Sequence, residues 1–320
     1  MRIKHSVMVG LMGRLYDRFH EYQPPLSLAE RLELVSHIEG ADGIEIVYPS
    51  EFGDVAQAIQ QIKDSGLGVS AVNVNVKSEA RWRHGSFTAP DPLIRKAAIE
   101  QVKAGMDIAA ELGTGMVSCC PLIDGHNYSF QVDYMQQWEW LVEGIRAAAL
   151  HRSDIRLSLE HKPNESRNYV ILGDVGRTLF LCEQLDLPNV GITVDIGHAL
   201  VAKETPAAMV CLAAAANRLF YIHFNDNGRD WDWDMIPASV NLWDTLETLY
   251  YLDHLGWEGW FSYDVINRDG DVVRTQQATI RVMQATQRML DKLGRERLGA
   301  LIREGDPART MEYLMEILAA

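Results

Sequence analysis

The chain has 320 residues, 47% hydrophobic and 23% charged, with a net charge of -14. This is a globular composition, long enough for one large core, and no stretch is biased enough in Pro, Gly, Ser or charge to act as a long linker. The acidic balance argues against a nucleic-acid partner, because a polyanion is bound by a basic surface that displaces its counterions. The four cysteines, Cys119, Cys120, Cys182 and Cys211, form no CxxC pair and lie in apolar runs, as reduced buried thiols do in a cytosol. Near the N-terminus only SVMVGLMG is apolar, too short for a secretory core, and nothing approaches the length that spans a bilayer. The expectation is a soluble cytoplasmic protein without a membrane partner.

In chain order, short β-rich runs fall at residues 3–9, 43–48, 68–76, 115–121, 155–161, 190–196, 219–225 and 259–265, with longer helical patterns between them. The helix after the first strand opens at Ser27, with Glu30 three residues on to complete a capping box, and stops at Gly40. After the third strand, Asp91 suits an N-cap, Pro92 the first helical position and Gly113 the stop. Strands alternating with helices require a parallel sheet, and eight repeats favour closure into a (β/α)8 barrel, here residues 1–293 as one domain. Residues 294–320, with an Arg-rich stretch and the amphipathic DPARTMEYLMEIL, exceed what a barrel needs. They are expected to form a helical extension that packs on the barrel or on a neighbouring subunit.

The fifth to eighth strands end in LSLEHKP, ITVDIGH, FYIHFND and FSYDV, placing Glu160, Asp195, His223 and Asp264 at successive strand ends. In a closed parallel barrel those ends form the active-site face. Taken singly, each reads equally well as a strand-end cap or ion-pair member. Four together read as ligands converging on one cation, since a carboxylate on a buried face is costly unless paired, hydrogen-bonded or metal-bound. Oxygen donors with one imidazole and no thiolate suit Mn²⁺, Mg²⁺ or Co²⁺ better than a structural zinc.

His198, three residues past Asp195, and the loop NDNGRDWDWDM after His223 add Asp226, Asp230, Asp232 and Asp234, a density that invites a second cation. In DWDWD the alternate Asp232 and Asp234 fall on one side of an extended segment while Trp231 and Trp233 pack; an acidic surface loop is the plainer reading of that run alone. Lys162, two residues past Glu160, points to the same side and either contacts a substrate oxygen or neutralises carboxylate charge. WRHGSFTAPDP, after the third strand, is an aromatic and polar loop that by itself reads as a solvent loop anchored by one buried aromatic.

The set Glu160-His161-Lys162, Asp195-Ile196-Gly197-His198, His223 with Asp232 and Asp234, and Asp264 resembles the xylose isomerase-like TIM-barrel superfamily, and within it the bacterial broad-specificity L-rhamnose isomerases. The resemblance implies a structural metal held by Glu160, Asp195, His223 and Asp264, and a catalytic metal held by His198, Asp232 and Asp234, with Asp230 able to replace either aspartate. It implies Mn²⁺, or Mg²⁺ or Co²⁺, at two sites per subunit. Lys162, His198, Asp264 and Glu160 would carry the catalytic step, and Lys162 with Trp82, His84 and Phe87 would contact the substrate. The implied activity is aldose–ketose isomerisation of an unphosphorylated monosaccharide in a homodimer or homotetramer. The rivals are a ketose 3-epimerase, which opposes two glutamates across one carbon and takes a glutamate on strand eight, an endonuclease-type phosphodiesterase, a sugar-deglycosylating or dehydrating relative, and a non-catalytic sugar-binding barrel.

Overall fold

Each of the eight β-rich runs forms a strand: β1 (Ile3–Met8), β2 (Gly43–Tyr48), β3 (Gly68–Val74), β4 (Met116–Cys119), β5 (Arg156–Glu160), β6 (Val190–Asp195), β7 (Leu219–Phe224) and β8 (Gly259–Tyr263). All pair in parallel with their sequence neighbours, and β1 pairs with both β2 and β8, so the sheet closes into a (β/α)8 barrel. The coordinates are a computed structural model that describes residues 3–17, 19–268 and 270–319. The parts of the expected barrel and extension that fall on Met1, Arg2, Arg18, Asp269 and Ala320 lie outside them.

The helices are α1 (Leu28–Ser36), α2 (Val55–Asp64), α3 (Pro92–Glu111), α4 (Tyr134–Ala149), α5 (Val175–Leu185), α6 (Ile196–Val201), α7 (Pro206–Ala215), α8 (Leu242–His254), α9 (Val272–Leu293), α10 (Arg295–Glu304) and α11 (Pro307–Ala319). Ser27 and Glu30 close the capping box of α1, and the Asp91 carboxylate accepts the Leu93 N–H ahead of Pro92 at the start of α3. The crossover from β6 to β7 carries two helices, because α6 starts directly on Asp195 and ends after six residues. Two small antiparallel ribbons escape a periodicity reading because their strands are two or three residues long: Leu15–Tyr16 with Glu21–Gln23, and Gly125–His126 with Tyr169–Val170. The helices α10 and α11 fold back on α9, where the Tyr313 hydroxyl donates to the Leu293 carbonyl at 2.6 Å and Leu301 and Leu314 are buried. Among the described residues no helix is long and apolar enough to cross a membrane. The four thiols are free, and three of them, Cys119, Cys120 and Cys182, are buried.

Period two divides every strand. Ile44 and Ile46, Leu157 and Leu159, Ile192 and Val194, and Ile222 and Phe224 enter the main apolar core, while the residues between them turn into the barrel. That interior is polar, unlike the branched apolar filling usual for such barrels. Ser158 and Thr193 meet at 2.7 Å, Ser6 and Ser70 at 2.6 Å, and Tyr221 reaches Ser70 at 2.7 Å.

One buried carboxyl outside the barrel makes stability depend on pH. Glu204, after α6, accepts the Val175 N–H at 3.2 Å through Oε1, while Oε2 is buried without a partner among the described residues. Burial, with Asp174 nearby, pushes its carboxyl up to about 7 against the opposing Val175 hydrogen bond. An acid raised in the folded state binds its proton more tightly there than in the unfolded chain, so its stabilising share is complete below the ordinary glutamate value and is lost as pH rises through about 7. Between pH 5 and pH 8 the thermal stability of Glu204→Gln is expected to gain on that of the unaltered protein by on the order of 1 kcal/mol, discounted for partial exposure. Parallel pH profiles of Tm would reject this.

Candidate metal centre

Four strand ends bring Glu160, Asp195, His223 and Asp264 to one point, where each offers a ligand atom within 4.8 Å of the others. Register aligns them: Thr193 pairs with Glu160 across β5 and β6, and Asp195 with His223 across β6 and β7. His223 Nδ1 lies 3.2 Å from Glu160 Oε1 and 3.7 Å from Asp195 Oδ2. Asp195 is also a helix cap, since its Oδ1 accepts the His198 N–H at 2.8 Å, so the capping and ligand readings both apply. Gly197 lets that turn approach the neighbouring loop, for a Cβ there would lie 2.0 Å from Asn225 Oδ1. Asn225 in turn donates to both Asp195 oxygens, at 3.3 and 3.2 Å.

Charge in the cluster is unbalanced. Burial, together with Asp195, Glu160 and Asp232 and against the pull of His223, raises the Asp264 carboxyl to about 7. Burial, Asp232 and Asp264 push the Asp234 carboxyl well above the carboxylate range. Burial opposes charge on Glu160 too, yet the adjoining His223 and His198 outweigh it and hold its carboxyl below the usual range. Burial works against a charged His223, but Glu45 and Glu160 keep it protonated well above the ordinary histidine value. The Asp264 carboxylate makes no hydrogen bond to any described residue, and the donor set is rich in oxygen and free of thiolate. These features fit a divalent cation, which would neutralise the carboxylates in place of protons.

Beside the four lies a second, differently built group. His198 Nδ1–H donates to the His161 carbonyl at 2.8 Å, leaving Nε2 to face Asp232 Oδ2 at 2.9 Å. Lys162 Nζ meets the same Asp232 oxygen at 2.6 Å and also pairs with Glu165. Asp232 and Glu165 keep the Lys162 ammonium charged despite its burial. Among the described residues Asp232 Oδ1 is buried with no partner, and the Asp234 carboxylate reaches only Asn225, at 3.5 Å. Among the described residues the one metal-type group is the first four; His198, Asp232 and Asp234 adjoin it, with His198 and Asp232 hydrogen-bonded to each other.

The loop alternates as read, with Asp232 and Asp234 buried, but Trp231 and Trp233 lie on the solvent side, 40% and 44% exposed, with the Arg268 guanidinium over Trp233 at 5.6 Å. The aspartates take the inner side because His198, Lys162 and Asn225 await them there, and this turns the indoles outward. Asp230 faces solvent and accepts the Trp231 N–H. Asp226 is buried as a loop anchor, accepting from Val240 N, Asn241 N and Asn241 Nδ2.

The loop after β3 is pinned by Asp124, whose carboxylate accepts the Ser86 and Thr88 N–H groups at 2.8 and 2.9 Å. Trp82 and Phe87 are fully buried in the main core, Trp82 under the Arg81 guanidinium and Phe87 against Gly144 of α4. Neither ring has a free face for a sugar in this conformation. His84 is exposed in a surface crevice with Arg81, Arg83 and Asp91, apart from the four-ligand cluster.

Two residues at the site escape a reading of strand ends. Glu45 of β2 is fully buried and lies 3.0 Å from His223 Nε2; its period-two place between Ile44 and Ile46 was the available signal. Lys77, just past β3, is half-buried with no hydrogen-bond or ion-pair partner for its ammonium among the described residues. Burial opposes its charge, but Cys120, Glu160 and Asp264 outweigh that and mark it as facing the cluster.

The profile of the family described as "Xylose isomerase-like TIM barrel" matches residues 32–293. The chain belongs to the xylose isomerase-like TIM barrel family. Xylose isomerases of Thermus thermophilus and Thermus caldophilus are 29% and 28% identical to this family member over 218 residues, 66% of this chain and 56% of each relative. The chain thus matches little more than half the length of those curated relatives. Among solved structures, a D-tagatose 3-epimerase-like protein superposes with a TM-score of 0.70 at 19% identity, covering 90% of this chain and 98% of that one. An L-ribulose 3-epimerase does so with a TM-score of 0.67 at 16% identity, covering 94% and 98%. At these identities the likeness is one of fold. The superfamily is as the motifs implied, but these relatives are xylose isomerases and ketose 3-epimerases, not L-rhamnose isomerases.

Proposed function

We propose that this protein is a divalent-metal-dependent aldose–ketose isomerase acting on an unphosphorylated monosaccharide, with a ligand pattern of the L-rhamnose isomerase type. The observation that carries this reading is the hydrogen-bonded chain Lys162–Asp232–His198 beside the four-ligand cluster. Moving a hydrogen between C1 and C2 while two oxygens exchange carbonyl and hydroxyl character calls for polar groups at both oxygens. A 3-epimerase instead opposes two carboxylates across one carbon, and strand eight here ends in Asp264, one methylene shorter than the glutamate that role takes.

Glu160, Asp195, His223 and Asp264 are the residues to hold one cation, Mn²⁺, Mg²⁺ or Co²⁺. His198 through Nε2, with Asp232 and Asp234, would hold a second once the His198–Asp232 hydrogen bond opens. A bound divalent cation supplies Lewis-acid polarisation of substrate oxygens. Lys162, held by Asp232 and Glu165, would hydrogen-bond a reacting oxygen. Gly256 lies in the turn before β8 and Gly259 begins that strand, away from the cluster, which supports a free sugar over a sugar phosphate. Homodimeric or homotetrameric assembly belongs to the same reading.

Incubating the Mn²⁺-loaded protein with L-rhamnulose, D-psicose and their aldoses, and resolving products by NMR, is expected to give aldose–ketose pairs. Formation of C3 epimers alone would establish the epimerase instead. Sugar binding without turnover would favour a non-catalytic barrel.

A further inference from the structure

The floor beneath the four-ligand cluster is built around Glu45. Its Oε1 accepts from Asn73 Nδ2 at 2.9 Å, and its Oε2 is met by Ser262 Oγ at 2.7 Å, the Tyr221 hydroxyl at 2.9 Å and His223 Nε2 at 3.0 Å. Glu45, Tyr221, Ser262 and His223 are all essentially inaccessible to solvent. In the singly protonated ring that a metal ligand must be, the Glu45 carboxylate takes the remaining hydrogen at Nε2 and Nδ1 carries the lone pair. That nitrogen is the one turned towards Glu160 Oε1 and Asp195 Oδ2. The ring is held on its other side by Tyr221, whose ring stands edge-on to it with centroids 5.2 Å apart.

We propose that Glu45 is the positioning residue of the metal centre: it locks the His223 ring with Nδ1 aimed at the cation and strengthens that nitrogen as a donor. Histidines that ligate metals commonly give their second N–H to a carboxylate, and loss of that partner weakens metal binding by about 10–100-fold. The network explains why a carboxylate lies mid-strand in the apolar run GIEIVY, where its burial is otherwise costly. Asn73 at Oε1 and Ser262 and Tyr221 at Oε2 also hydrogen-bond Glu45, so it is held in one orientation beneath the imidazole.

The inference rests on the four-ligand reading, and its test separates the two. Mn²⁺ binding to the full chain is measured by calorimetry for the unaltered protein, Glu45→Gln and Glu160→Gln, with circular dichroism of each. At the four-ligand cluster Glu45→Gln is expected to bind Mn²⁺ about 10-fold or more weakly, and Glu160→Gln to lose binding there. Unchanged affinity in Glu45→Gln, with binding lost in Glu160→Gln, overturns the role of Glu45 and leaves the metal centre standing. An unaltered protein that binds no Mn²⁺ overturns both. Should Glu45→Gln not fold, nitrogen-15 NMR of the unaltered protein loaded with Mg²⁺ decides: an Nε2–H tautomer of His223 is expected, and an Nδ1–H tautomer overturns the proposal.

Discussion

Asp195→Asn is expected to remove divalent-cation binding at the four-ligand cluster and to lower kcat/KM on the sugar substrate by on the order of 10³-fold or more, the several kcal/mol of charge stabilisation that a catalytic cation supplies. The substitution is chosen because it separates the two roles of this side chain. As the cap of α6, Asp195 needs only an oxygen to accept the His198 N–H, and asparagine caps a helix about as well as aspartate. As a ligand it needs the negative charge, which asparagine lacks. The folded protein should therefore persist, with Tm changed little, while Mn²⁺ content measured after dialysis falls by one ion per chain. Retention of the unaltered protein's full Mn²⁺ content together with activity would show that the cation of the cluster does not depend on Asp195.

Lys162→Met is expected to lower kcat by about 10²–10⁴-fold, the usual contribution of a positioned proton donor or acceptor, while leaving Mn²⁺ affinity at the four-ligand cluster nearly unchanged. Methionine keeps the length and apolar stem of the buried side chain. It removes the ammonium that meets Asp232 at 2.6 Å and also pairs with Glu165. Breaking a buried pair strands its carboxylate at a cost of about 3–5 kcal/mol, so the metal-free variant should melt lower. If kcat stays at the level of the unaltered protein while Tm falls, Lys162 serves only to neutralise the carboxylates. A fall in kcat at saturating sugar with little change in KM assigns it to the reacting oxygens.

Residues at the ends of strands were legible because two signals coincide there: a β-rich run stops, and a costly side chain stands where it stops. Glu160, Asp195, His223 and Asp264 all meet that description, and the fold brings them within 4.8 Å of one another. Glu45 meets only half of it, since it lies inside β2 and its partners Tyr221, Ser262 and His223 come from strands about 180 residues or more away in the chain. Lys77 looks from the sequence like any solvent lysine; only closure of the barrel sets its charge against Glu160 and Asp264. The tryptophans of DWDWD illustrate the reverse error, because alternation assigns two faces without saying which is buried. Here the fold buries the aspartates and leaves Trp231 and Trp233 exposed.

The amino-acid sequence by itself determined the eight strands, the barrel class, the helix caps at Ser27 and Asp91, and the four residues that gather at one point. Those features depend on local periodicity, on capping chemistry within a few residues and on the handed closure of repeated βα units. Tertiary structure alone decided that Glu45 supports His223, that His198 and Lys162 share Asp232, that Trp82 and Phe87 are spent on the core, and that α10 and α11 cover α9. Each of these is a choice of partner between segments distant in the chain, set by strand register and by which buried charge stands nearest to compensate another.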